Sequence, residues 1–200
     1  MKQILFATGN QSKAKRFQKD LLKKNIEILT LNDVNTTIEV EENGTTAIEN
    51  ALIKARAYAN IVNCPVMAMD DTLYLENVPE DKQPGMYVRR VNGRRLTDEE
   101  MIEHYTNLVR EYGIDNKIVA RWVYGMAIIA NDEEFTYTWN HSDFYLTTQP
   151  TEITYPGYPL DSISMNPKLN KYFTELTEED KQLLQENEDA VIDFISSHIG

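Results

Sequence analysis

Ile4 to Ala7 is a short apolar run followed by the polar Thr8-Gly9-Asn10, and beyond it Ala14, Phe17, Leu21 and Leu22 recur at helical spacing. The chain therefore opens as strand, loop and helix. Residues 26–31 and 37–41 alternate as half-buried strands do. Glu42-Asn43-Gly44 reads as a turn, and Thr46-Ala47-Ile48-Glu49 has the spacing of a capping box. The helix it opens places Ile48, Ala51, Leu52, Ala55 and Ala59 on one face. Pro65 to Met69 reads as a buried strand that ends in two acids, Asp70 and Asp71. Residues 78–93 hold two prolines and two glycines and predict a long loop.

A second capping box, Thr97-Asp98-Glu99-Glu100, predicts a helix carrying Ile102, Tyr105, Leu108, Val109 and Tyr112. Residues 117–130 and 134–146, rich in aromatic and β-branched side chains and separated by Asn131-Asp132, predict a long antiparallel hairpin. Residues 148–172 carry four of the seven prolines and read as irregular, and a last helix is expected from about Thr177 to Ile195. There is no repeat and no low-complexity tract. The predicted class is α/β, a mixed sheet with long β-hairpins, without the regular βαβ alternation of a doubly wound sheet.

Composition narrows the partners. A chain of 200 residues fits one compact domain, residues 1–200, expected to form two lobes around a central cleft, and 42% hydrophobic residues suffice for a core. Thirty-two acidic against 20 basic residues leave a net charge of −12. Such a chain is repelled by nucleic-acid phosphates and anionic membranes, and no Lys/Arg run offsets this locally, so neither a nucleic-acid polymer nor a membrane is expected as partner. Apolar runs such as Tyr124 to Ala130 are far shorter than the ~20 residues of a spanning helix. The N-terminus lacks a signal-peptide apolar core, and the lone Cys64 supports neither a disulfide framework nor a cysteine zinc site. The cytoplasm is the expected compartment.

Thr8 to Lys13 is the first candidate for chemistry. A polar loop between strand and helix aims backbone N–H groups outward, the helix dipole favours an anion there, and Lys13 adds a point charge. An ordinary turn with a solvated lysine is the alternative, and the P-loop spacing is absent. The second candidate is the acid set Glu39, Glu41, Glu42, Asp70 and Asp71. Adjacent carboxylates raise each other's pKa, a conflict that a divalent cation relieves; a solvated strand end is the alternative. Lys54, Arg56 and Lys181 read as solvated helix residues from spacing alone. His104, His141 and His198 show no ligand or triad spacing. Trp122, Tyr124, Tyr137 and Trp139 read as core and sheet face rather than a base-stacking platform.

Several segments, in this order, resemble the inosine triphosphate pyrophosphatase family: ILFATGNQSK, EENGTTAIENALIKARAYA, MAMDDTLYLE, PGMYVRR and ELTEEDKQLLQENEDA. The resemblance spans most of the chain. It implies a two-lobed α/β fold, a homodimer, and hydrolysis of a nucleoside triphosphate to the monophosphate and pyrophosphate with Mg2+, or Mn2+ in its place. Carried over by residue, Thr8, Asn10 and Lys13 would hold phosphates and Lys54 would neutralise phosphate charge. Glu41 and Asp71 would act at the metal with Asp70 as a further ligand. Asp71 would also serve as base for the attacking water, with Lys13 beside it in catalysis, and Lys181 matches the family's substrate lysine. Two departures fall on base recognition. The family's G-[FY]-G-[YW]-D-P reads Pro156-Gly157-Tyr158-Pro159-Leu160-Asp161 here, and its S-H-R falls on Gln185-Glu186-Asn187. A Maf-type pyrophosphatase, with its S-x-S-x-x-R opening, is disfavoured by Thr8-Gly9-Asn10 and Lys13. A non-catalytic nucleotide-binding protein with a drifted base pocket is the rival from another class.

Overall fold

A computed structural model describes residues 1–36, 38–184 and 188–199, and of Gln11 and Ser12 the backbone alone. In chain order the elements are β1 (Lys2–Phe6), α1 (Gln11–Lys23), β2 (Ile26–Leu29), α2 (Ala47–Ala59) and β3 (Val66–Leu75). There follow β4 (Arg90–Val91), β5 (Arg94–Arg95), α3 (Asp98–Tyr112), β6 (Lys117–Ala130), β7 (Glu133–Asn140) and β8 (Phe144–Thr147). The last are β9 (Ser164–Asn166), β10 (Lys171–Tyr172), α4 (Glu178–Leu183) and α5 (Asp189–His198). The mixed α/β class read from the sequence is the one observed.

The chain divides into two compact units. The first comprises Met1–Asp71, Tyr124–Trp139 and Asn187–Gly200. Its strands hydrogen-bond in the order β2-β1-β3-β6, with β7 also on β6. β1 is parallel to both neighbours, in register Ile4↔Ile28 with β2 and Phe6↔Met67 with β3. Ala14, Phe17 and Leu21 of α1 lie on one helical stripe and are buried, whereas Leu22, one position off that stripe, is 46% exposed. Phe17 packs between Phe6 and Trp139, with ring centroids 6.3 and 6.4 Å away. α2 buries Ala47, Ala51, Ala55 and Tyr58. Small residues are needed because the helix lies close on the sheet: a Cβ at Gly125 of β6 would stand 2.6 Å from the Ile48 nitrogen. Tyr124, Tyr137 and Trp139 pack against this unit's core, as expected of sheet-face aromatics.

The second unit comprises Thr72–Val123 and Asn140–Glu186. Its strands follow the order β3-β6-β8-β9-β10, with β6 antiparallel to β8 from Lys117↔Thr147 to Ala120↔Phe144. α3 carries the complete capping box the sequence predicts, Glu100 N–H to Thr97 Oγ1 at 3.2 Å and Thr97 N–H to Glu100 Oε2 at 2.8 Å. Tyr105, Leu108 and Val109 meet Leu73, Leu75, Phe144 and Leu146 in the core.

Several expectations change. Residues 38–41 form no strand; Ile38 and Val40 pack against the core without a ladder, and the Ile38 N–H goes to the Tyr58 hydroxyl at 3.3 Å. β3 does not end at Asp70 but runs through both acids to Leu75, because neighbours in both units continue to pair with it. The second hairpin arm breaks at residues 141–143 into β7 and β8. The supposedly irregular stretch 148–172 contributes β9 and β10. The last helix is two helices, α4 and α5, and Gln185, Glu186 and Asn187 lie outside the described residues.

α4 begins on a capping box whose acid, Asp180, also takes Lys171 Nζ at 2.8 Å. The Lys171 hydrogen bond and then the Thr177 N–H hold the Asp180 carboxyl down to about 2 from its ordinary 3.8. A carboxyl depressed by folding stabilises above its unfolded pKa and loses that contribution as pH falls through the folded one. The tie between α4 and β10 should therefore persist at pH 4 and be lost towards pH 2. A carboxyl carbon titration by NMR checks this, and a midpoint near 3.8 would show that the tie does not form.

Candidate active site

The site is built wholly within the first unit. β1 ends at Phe6, and Thr8-Gly9-Asn10 turns the chain into α1, with the Asn10 N–H on Thr8 Oγ1 at 3.1 Å and the Lys13 N–H on the Asn10 carbonyl at 3.1 Å. The Ala7 N–H bonds the Met67 carbonyl of β3 at 2.8 Å, so β3 overshoots β1 and carries Asp70 and Asp71 beyond its end. Carboxyl ends of parallel strands are where open α/β sheets place ligands. Lys13, on the first turn of α1, reaches across and pairs with Asp71 Oδ1. Both side chains keep partial solvent access, 21% for Lys13 and 28% for Asp71.

Asp70 faces the other way, into the protein. Its Oδ2 accepts from Asn50 Nδ2 at 3.0 Å and its Oδ1 from the Asp71 N–H at 3.0 Å. Burial pushes the Asp70 carboxyl above the ordinary carboxylate range, opposed by the Asn50 hydrogen bond and by the charges of Lys54 and Lys13. Asn50, itself buried on α2, also accepts the Gly44 N–H on Oδ1 at 2.8 Å. That approach explains the glycine, since a Cβ at residue 44 would stand 2.7 Å from Asn50 Oδ1. Lys54, one turn further along α2, pairs with Glu42 at 2.9 Å and is 16% exposed, not the solvated lysine that spacing suggests. Glu41 is exposed and carries no ion pair or hydrogen bond of its side chain among the described residues.

The structure thus brings together Thr8, Asn10, Lys13, Lys54, Asp70 and Asp71. Lys181 lies in the second unit on α4, 56% exposed and 2.7 Å from Glu178. Among the described residues, no three His, Cys, Asp or Glu side chains converge as a metal cage. The donors present are hard carboxylate oxygens, which suit a cation that takes one or two protein ligands and completes its shell with water and phosphate.

Comparison with known proteins bears on what this arrangement is. The sequence model of the Ham1 family matches residues 4–197. The chain belongs to the Ham1 family. This Ham1 chain is 31% identical over 192 residues to the dITP/XTP pyrophosphatase of Bacillus subtilis (strain 168), covering 96% of this chain and 94% of that protein. It is 30% identical over 184 residues to the dITP/XTP pyrophosphatase of Halalkalibacterium halodurans, covering 92% of each. Its fold matches the solved Ham1 protein of Staphylococcus aureus with a TM-score of 0.77 at 24% identity, over 98% of this chain and 99% of that one. The resemblance read from the motifs therefore holds.

The structure places further residues beside this candidate site that spacing did not single out. Arg16, one turn after Lys13, gives Nε to Glu188 Oε1 at 2.7 Å and lies 4.5 Å from the ring centroid of Tyr124. Tyr124 stacks on Trp139 at 5.2 Å. Burial pushes the Tyr124 phenol up to about 12, with Arg16 opposing and Asp71 adding to the rise, so this aromatic group lies within the field of the Lys13–Asp71 pair. Arg16 and Glu188 are 172 residues apart. No local pattern could have joined them; the sole sequence signal was the three-residue offset of Arg16 from Lys13.

Proposed function

We propose that this Ham1 chain is a nucleoside triphosphate pyrophosphohydrolase, converting an NTP and water to an NMP and pyrophosphate, with noncanonical purine nucleotides such as ITP, dITP and XTP as substrates. The observation that carries the reading is the Lys13–Asp71 pair, with Asp70 and Lys54 behind it, beyond the carboxyl end of β1 and beside the Thr8 to Asn10 loop. The dITP/XTP activity in the relatives' names supports the same reaction.

The triphosphate binds where the backbone N–H groups at the start of α1 and the ammonium groups of Lys13 and Lys54 converge on its charge, with Thr8 and Asn10 fixing the loop. As Lys13 turns to a phosphate oxygen, Asp71 is released to accept a proton from water. The water oxygen bonds to the α-phosphorus, the bond from that phosphorus to the β-bridging oxygen breaks, and pyrophosphate leaves. Asp71, Asp70 and Glu41 would hold Mg2+, or Mn2+ in its place, which when bound supplies charge neutralisation at the phosphate oxygens. Lys181 is kept as a candidate substrate residue on its match to the family's substrate lysine alone. The same reading takes the chain as a cytoplasmic homodimer of two-lobed subunits acting on free nucleotides. No helix among the described residues is long and apolar enough to cross a membrane.

Pyrophosphate release from ITP, XTP, dITP, dUTP and the four common NTPs tests the proposal. Release from the deaminated purines is expected. With Gln185-Glu186-Asn187 in place of Ser-His-Arg, discrimination of ITP over ATP should be weaker than such donors give, since glutamate can only accept a hydrogen bond. Saturable binding with no release from any nucleotide would make the chain a binding protein instead.

A further inference from the structure

The second unit contains a cavity of about 610 Å3 that the proposed reaction does not use, between the loop of residues 81–93 and one face of α3. Its wall includes Pro84, Tyr87, Arg90, His104, Tyr105 and Leu108. Sites for small ligands are commonly of this size, mostly apolar with a few polar groups that fix orientation. Beside it stands the hairpin of β4 and β5, which holds four arginines within residues 89–95 of a chain whose net charge is −12. The sequence shows no uninterrupted basic run, because Val91-Asn92-Gly93 separates the pairs; the turn folds them onto one another.

Two of the four are neutralised, Arg89 by Asp98 at 2.6 Å and Arg94 by Glu100 at 2.7 Å. Arg90 and Arg95 are direct cross-strand partners, and neither has an ion pair or side-chain hydrogen bond among the described residues. Like charges directly opposite on a ladder are destabilising, so stability gives no reason for this pairing. Two acids on the cavity wall, Asp81 and Glu111, are matched in number by Lys82 and Arg90, and Arg95, which does not itself line the cavity, stands at its rim as the cross-strand partner of Arg90. Lys82 already holds Glu111 at 3.0 Å. His104 makes no hydrogen bond among the described residues, only an edge contact with Tyr105 at 5.2 Å, and burial pushes its imidazole below the ordinary histidine range. A neutral imidazole offers one donor and one acceptor to a polar ring.

We infer that this cavity binds a phosphate monoester of a compact ring, its phosphate between Arg90 and Arg95 and its ring against Tyr87 and His104. A single carboxylate satisfies one guanidinium bidentately, whereas the three terminal oxygens and near-double charge of a phosphate monoester match two. The ring body accounts for the apolar wall, which free phosphate would leave uncovered.

Calorimetric titration with IMP, ribose 5-phosphate, inorganic phosphate and inosine tests the assignment in the wild type, Arg90→Gln, Arg95→Gln and Tyr87→Ala proteins. The expected result is a site whose monoester affinity falls at least tenfold in each arginine variant, while pyrophosphate release stays within twofold of wild type. Tyr87→Ala should weaken the monoesters and leave inorganic phosphate unchanged. A preference for IMP over ribose 5-phosphate identifies a nucleotide as the ligand, and equal binding a sugar phosphate. Both arginine variants should melt no lower than wild type, since each removes one member of a repulsive pair. Monoester binding unchanged in the arginine variants, or inorganic phosphate binding as tightly as the monoesters, would overturn the inference.

Discussion

Asp71→Asn should lower pyrophosphate release by about a thousandfold or more while the protein folds and melts as wild type does. A positioned general base contributes roughly 10^2 to 10^4 in rate, and the same carboxylate supplies one of the few charges available to a cation at this site. The amide keeps the shape of the side chain and can still accept from Lys13, so the geometry at this position of β3 survives. Asp71 and Lys13 both remain partly solvated. Asp71→Asn keeps a hydrogen-bond partner for Lys13 and removes one of two adjacent like charges, so it should cost little stability. The measurement is single-turnover pyrophosphate release on ITP beside a thermal melt of the same sample. Turnover near that of wild type at neutral pH would remove Asp71 from the chemistry. A melt lowered by many degrees would instead make its role structural.

The segments that make up the candidate site could be picked out because each is local. Thr8 to Lys13 is one turn and the start of one helix, Asp70-Asp71 is a dipeptide, and the Gly44 to Lys54 segment carries its own cap and periodicity. What could not be read was the partnership between segments. Spacing did not single out Asn50, yet its amide joins Gly44 to Asp70 through two hydrogen bonds. Arg16 and Glu188 meet only after the whole chain has folded. The misread elements share a cause. Residues 38–41 alternate as a strand does, but alternation records burial on one side, and packing against the α2 core meets it without a ladder. β3 outran its predicted end because acids terminate a strand only when nothing beside them needs pairing, and here β3 continues into the second unit. The basic hairpin escaped for the complementary reason: charge summed along a window misses charge gathered by a turn.

Chelation of divalent metal should abolish turnover, and Mg2+ added back in excess of the chelator should restore it. The argument is one of charge. A nucleoside triphosphate carries close to four negative charges at neutral pH, and it approaches a chain of net charge −12. At the site, Lys13, Lys54 and Arg16 are cations, and each is already held by an acid, Asp71, Glu42 and Glu188. Bringing phosphates there adds negative charge to a place where Asp70 is already pushed towards its neutral form by burial. Lysines alone leave the sum negative, whereas a divalent cation shared between carboxylates and phosphates offsets both sets. The effect should have a second signature. Because Asp70 is raised above the ordinary carboxylate range, the site should favour its charged form more strongly when a cation is bound, so activity at limiting Mg2+ should rise with pH through the range just above the ordinary carboxylate pKa and flatten when Mg2+ is saturating. Full turnover in chelator, with no residual metal by elemental analysis, would show that the lysines and the backbone of the Thr8 to Asn10 loop carry the triphosphate unaided.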